Sequence, residues 1–243
     1  MAGSDPNPSS NASFPTTRWS QVVEAGERAD PEALAELCAA YWYPLYAFVR
    51  RKGHPPEEAA DLVQGTFVNL LGRHGLAELE PERGRFRSFL MAVCVHHLAD
   101  CHARDGAAKR GGGRSPISFD LLDAEGRYAV EPADDSTPER LFERRWAVGL
   151  LERAVARLEA EALATGKAAL VSRLLPILTG GRSDVPFAAV AAELAMTEGA
   201  VKTAASRLRR RYGAILREEI ARTVADPADV EGEIRALFAA LAR

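Results

Sequence analysis

The sequence predicts an all-α protein: two small helical domains joined by a flexible linker, the second containing a helix-turn-helix. Three observations predict this. Apolar residues recur at three- and four-residue steps, no stretch alternates with the period of two that strands need, and the aromatic share is only 7%. At 243 residues and 47% hydrophobic content, the chain can bury one fair-sized core or two small ones.

Residues 1–16, rich in Ser, Pro, Asn and Gly, have little to bury and are expected to form a disordered tail, with order beginning near "TRWSQVV". From Pro31, Leu34, Leu37, Cys38, Tyr41, Leu45 and Phe48 line one helical face; Pro44 should kink that helix and Gly53 end it. A second helix follows "HPPEE", with acids in its first turn, and buries Ala60, Val63, Phe67, Leu70 and Leu71. After the loop "RHGLAELEPERGR", a third helix runs from about Phe86 to Arg104 and completes a first domain over 17–105. The segment 106–136 is Gly- and Asp-rich and weakly patterned, which marks it as the linker.

The second domain, 137–217, opens at Thr137, an N-cap with Pro138 at the first helical position. A long helix through "ERLFERRWAVGLLERAVARLEAEAL" is followed by a helix over "KAALVSRLLPIL" that stops at Gly180 and Gly181. Next, "DVPFAAVAAELAMTEGAVKTAASRLRRRYGAIL" reads as two helices joined by a tight turn at Ala195 to Thr197, with Thr197 capping the second. The remainder, 218–243, is an extension in which Ile220, Val224, Val230, Ile234, Leu237, Phe238 and Leu241 form an amphipathic pattern interrupted by "DPAD".

Composition narrows the function classes. Three cysteines are too few for a disulfide framework, no leader or membrane span is indicated, and a cytoplasmic location is expected. The net charge of −3 conceals two basic islands. From Arg83 to Arg114 seven Lys/Arg stand against Asp100 and Asp105, a net +5; from Pro186 to Arg217 six stand against Glu193 and Glu198, a net +4. A polyanion touched at two places fits that distribution. "RGGGR" lacks the Lys-Ser/Thr of a phosphate loop, and neither a nucleophile elbow nor a framed acid pair occurs, so no enzyme, catalytic residue or cofactor is expected.

"AVCVHHLADCHARD" suggests a metal site, but at about 100° per residue it divides into two faces. Cys94, His97 and Cys101 share the side that buries Leu90 and Leu98, while His96 and Asp100 lie on another. Small core thiols account for the first face better than a zinc site built from His97, Cys101 and an outside ligand such as Cys38. No resident metal is expected.

On the second helix of the Asp184–Leu216 motif, Val201, Ala205, Leu208 and Tyr212 share one face, and Glu198, Lys202, Thr203, Ser206, Arg209 and Arg210 the other. A short apolar helix supporting a basic, hydrogen-bonding one suits major-groove reading. "FAAVAAELAMTEGAVKTAASRLRRRY" resembles the promoter-reading motif of bacterial sigma-70-type factors. "YWYPLYAFVRRKGHPPEEAADLVQGTFVNLL" followed by "PERGRFRSFLMAV" is similar to the core-binding domain of the small extracytoplasmic-function sigma factors. The two matches occur in the order expected of that family.

The resemblance implies a subunit that binds core RNA polymerase, selects promoter DNA and helps open it. Asp61, Leu62, Gln64 and Phe67 occupy the polymerase-docking positions, while Arg83, Arg85, Arg87, His96 and Asp100 fall in the minus-ten region. Extruding a base costs a few kcal/mol of stacking, roughly, which contacts from the arginines to the freed strand would offset. Thr197, Glu198, Lys202, Thr203, Ser206, Arg207, Arg209 and Arg210 would face the minus-35 element, where Glu198 can accept from cytosine and Lys202 and Arg209 donate to guanine or phosphate.

Three positions depart from the family: Gly65 stands where Glu is usual, Ala204 where Arg is common, and His96 where Asn often contacts DNA. Gly inside a helix costs about 1 kcal/mol relative to Ala. An anti-sigma factor or another regulator is left open as a further partner. The rival reading is a conventional helix-turn-helix regulator that does not bind polymerase as a sigma subunit.

Overall fold

The computed structural model describes residues 31–71, 85–105, 121–131, 136–178, 186–224 and 226–242. Among these residues there are nine α-helices and a short 3-10 turn, and no strand. The expected tail and the "TRWSQVV" segment lie outside the described residues, as do Gly180, Gly181 and Arg83. No helix among the described residues is long and apolar enough to cross a membrane.

Helix α1 (Pro31–Arg51) is the centre of the fold because it is apolar all round from Tyr41 to Val49, where only Pro44 interrupts an apolar or aromatic run. Tyr41, Leu45, Tyr46, Phe48 and Val49 are each at most 1% exposed. The helix runs through Pro44 and ends at Gly53, whose φ of +98° closes the turn with its N–H on Arg50 O at 3.0 Å. Helices α2 (Pro56–Leu71) and α3 (Phe86–Asp105) form a pair against it, with Val63, Phe67, Leu70, Leu90 and Cys94 fully buried.

Within the segment expected to be linker, residues 121–129 form a helix, α4 (Leu121–Ala129). Its sequence, "LLDAEGRYA", has too few apolar positions to announce a helix, and polar contacts hold it instead. Glu125 receives Arg50 through two hydrogen bonds of 2.7 and 3.2 Å and Tyr46 Oη at 2.6 Å. Arg127 stacks 4.0 Å over Tyr43, and Arg50 lies 4.8 Å over Tyr128. The Arg50 hydrogen bonds hold the Glu125 carboxyl below its ordinary range.

Helix α5 (Pro138–Ala164) packs most extensively on α1. Phe142, Trp146, Leu150, Ala154, Leu158 and Ala162 recur every four residues along its buried face, the row that ridge-into-groove packing uses. Thr137 caps it as the sequence predicts, its hydroxyl accepting from Arg140 N at 3.3 Å. As the sequence predicts, α5 continues through "EAEAL" and reaches α6 (Ala168–Leu178) by a tight turn. Gly166, at φ +67°, makes that turn possible, and Lys167 N reaches back to Ala162 O at 2.8 Å.

Helix α7 (Phe187–Glu193) and helix α8 (Glu198–Ala221) follow, then the 3-10 turn Pro227–Asp229 and α9 (Val230–Leu241). Buried side chains form two clusters. The larger joins α1 to α5 with Ile215, Leu216 and Ile220 of α8 and Leu237 of α9. The smaller contains Leu174, Val190, Ala191, Val201 and Ala205, and Leu208 packs against both. Helix α5, which the sequence assigns to the second domain, therefore shares its core with α1 of the first.

Candidate nucleic-acid interface

The first half of α8 is positioned by what lies beneath it. Val201 (0% exposed) and Ala205 (5%) press on Val190 and Ala191 of α7, turning the opposite face outward. The turn between these helices carries Ala195 at φ +52°, a left-handed conformation uncommon for a residue with a Cβ, and Met196 N bonds back to Ala191 O at 2.9 Å. Thr197 then caps α8, its hydroxyl accepting from Ala200 N at 3.2 Å. A change of one or two residues in this turn would rotate the outward face.

That face is the one the sequence predicts: Thr197, Glu198, Lys202, Thr203, Ser206, Arg207, Arg209 and Arg210 are all exposed. Glu198 and Lys202 pair with each other at 2.6 Å, and the Thr203 hydroxyl donates to Gly199 O at 2.9 Å. An exposed i,i+4 pair is worth only tenths of a kcal/mol, roughly, so it yields readily to a competing anion. Arg207, Arg209 and Arg210 make no ion pair or hydrogen bond through their guanidiniums among the described residues. Three cations are thus displayed on one helix with no partner among the described residues.

One residue later the helix changes role. Arg211 turns inward onto Glu161 of α5 through hydrogen bonds of 2.7 and 2.5 Å, and it also reaches Glu218 at 3.3 Å. The Glu161 hydrogen bonds push its pKa further above an already high range. Arg157 ties the same site to Glu218 and Glu219. Arg211 therefore anchors α8 to α5 instead of extending the outward basic face.

The first basic island is arranged differently. Arg87 is 3% exposed, with its Nε on Glu143 Oε2 at 2.7 Å, its Nη1 on Glu233 Oε1, and its guanidinium 4.2 Å above the Trp146 ring. Burial lowers its pKa, against the opposing pull of Glu143. Arg85 is more exposed, yet its Nε lies 2.9 Å from Glu233 Oε2. Neither guanidinium is displayed as a phosphate contact in this conformation, because two carboxylates from α5 and α9 already hold them. His96 and Asp100 do share an exposed face of α3, and no ion pair or hydrogen bond involves either side chain among the described residues.

Of the four positions that the resemblance gives to polymerase docking, Asp61 is exposed, Gln64 half-buried, and Leu62 (8%) and Phe67 (0%) belong to the core. The outer surface of α2 and α3 also carries two exposed valines, Val95 (43%) and Val68 (51%), the second of which sequence reasoning missed. Gly65 has a structural reason: a Cβ there would lie 2.4 Å from His97 Nε2. The close seat of the His97 ring on α2 requires glycine, and Asn69 Nδ2 fixes that ring at 2.8 Å from Nδ1.

Cys94 is in the core as expected, whereas His97 and Cys101 are only half-buried, with Sγ 3.6 Å from His97 Nε2. Among the described residues no group of three His, Cys, Asp or Glu could hold a metal ion. Sequence reasoning also missed Glu143 and Glu233, the carboxylates that turn Arg87 inward. The only signal for Glu233 is that it stands one residue from Ile234 in an apolar repeat, which gives no indication of its distant partner. No family model, curated protein or solved structure matches this chain.

Proposed function

We propose that the protein is a sigma-type transcription initiation factor: a subunit, not an enzyme, that binds core RNA polymerase and directs it to promoters through minus-10 and minus-35 contacts. The observation that carries the reading is the outward face of α8. A capped helix backed by a small apolar cluster displays Arg207, Arg209 and Arg210, with no partner among the described residues, beside exposed Lys202, Thr203 and Ser206, whose side chains can hydrogen-bond to base edges or phosphates. The resemblance of "DLVQGTF" and "PERGRFRSFL" to polymerase-docking and minus-ten segments supplies the rest. Exposed Asp61 with Val68 gives the docking helix a mixed polar and apolar outer edge.

Run-off transcription with purified core polymerase on a genomic library tests this: promoter-dependent transcripts are expected only when the protein is added. Their absence, together with failure to co-purify with core polymerase, overturns the reading. One observation favours the rival, a helix-turn-helix regulator that binds DNA without polymerase: Arg87, placed by the resemblance at the opened strand, is 3% exposed. Duplex binding without polymerase association is the result that selects that alternative.

A further inference from the structure

The carboxylate of Glu233 is 1% exposed, and it reaches Arg87 and Arg85 across 146 and 148 residues of sequence. It arrives on α9, the 12-residue helix after the Asp226-capped turn. Two guanidiniums, Arg85 and Arg87, face two carboxylates, Glu143 and Glu233, so the cluster is neutral while α9 is docked. When α9 leaves, Arg85 loses its only ion pair among the described residues, and one positive charge at the start of α3 is left unbalanced.

The docking that holds Glu233 there is modest. Leu237 is the one apolar side chain of α9 that is fully buried; Val230, Ile234 and Leu241 are half-buried, and Phe238 is 59% exposed. A helix this short does not persist alone in water, so undocking and melting go together. Glu233 Oε2 is buried yet accepts no hydrogen bond, despite Arg85 Nε at 2.9 Å. An incompletely satisfied carboxylate carries part of its desolvation penalty into the docked state, which weakens the closure.

We propose that α9 is a built-in latch: Glu233 occupies the Arg85–Arg87 pair as an internal substitute for a phosphate, and single-stranded DNA must displace it to reach those arginines. This rests on the nucleic-acid reading of Arg85 and Arg87. A chain that is mostly latched binds the strand with an affinity lowered by the fraction that is open, and whatever loosens α9 raises it.

The test uses the full chain and a fluorescent single-stranded oligonucleotide. Leu237→Ala, which loosens the docking, and Glu233→Gln, which removes the charge at constant shape, are each expected to tighten binding by roughly threefold to tenfold. Phe238→Ala leaves it unchanged, and Arg85→Ala in the Leu237→Ala background cancels the gain. Unchanged or weakened binding by both latch variants overturns the latch, because an ion cluster serving stability alone predicts that result. Absence of strand binding by every chain overturns it too. Co-purification with core polymerase, measured on the same chains, decides separately whether the sigma reading stands. Should Leu237→Ala not fold, amide exchange on the parent chain gives the answer: oligonucleotide should speed exchange across 234–241, and unchanged or slower exchange overturns the latch.

Discussion

Arg87 and Arg209 are the same residue in two basic islands of similar net charge, yet the fold treats them oppositely. Arg87 lies between an indole and two carboxylates and is 3% exposed. Arg209 stands on the outward face of α8 with no partner among the described residues. What separates them is the surface each helix meets. The start of α3 abuts α5 and α9, which bring carboxylates, whereas the outer face of α8 opposite Val201 and Ala205 meets no other helix among the described residues. Charge counted along a sequence therefore locates arginines without saying whether they serve the inside or the outside of the molecule.

Removing each arginine in turn separates the two sites. Arg87→Ala removes the guanidinium that Glu143 and Glu233 share above Trp146, and urea unfolding should show a loss of about 1–3 kcal/mol, limited by the release of α9. Arg209→Ala should change stability by no more than about 0.5 kcal/mol. Equal effects would mean that the two sites are not different in kind. For binding the order reverses: Arg207, Arg209 and Arg210 changed together to Ala should weaken duplex DNA affinity by on the order of a hundredfold and flatten its salt dependence by roughly three contacts' worth of slope. Anisotropy titrations across a salt series read both quantities.

A smaller effect sharpens the account of the first region. Gly65→Ala should destabilise the protein by about 1 kcal/mol, because pushing the His97 ring off its seat breaks its hydrogen bond with Asn69 and costs more than the helix gains from losing a glycine. In a His97→Ala background the same change should turn stabilising, so thermal melts of the four chains form a cycle whose sign reverses. A further effect is alkaline. Burial pushes the thiols of Cys38 and Cys94 up to about 11 from an ordinary 9.0. Below pH 9 both are neutral folded or unfolded and contribute no pH dependence; between about 9 and 11 the unfolded chain ionises first, so stability falls as pH climbs. Urea midpoints at pH 8 and pH 10 should show that fall, reduced in a Cys94→Ala chain.

The caps at Thr137 and Thr197, the closing Gly53 and the apolar face of α8 were legible in the sequence because each depends on neighbours within a turn or two. Helix α4 was not, since its stability comes from Glu125 meeting Arg50 and Tyr46 at separations of 75 and 79 residues. The outward set on α8 could be listed from the helical period alone. The inward turn of Arg87 could not, because its partner lies 146 residues away on a segment with no local mark of the pairing. Local periodicity assigns a face to a residue, and only the assembled helices decide what that face meets.

The seat of His97 on Gly65 has one more consequence. At the place on α2 where the resemblance leads one to expect a carboxylate, the helix displays no side chain of its own. A half-buried imidazole delivered from α3 stands over it, held by Asn69. Two helices thus share a single surface address. A partner approaching α2 there meets a group that can donate and accept hydrogen bonds, in place of an acid, and whoever wishes to change what α2 shows at that point must mutate α3.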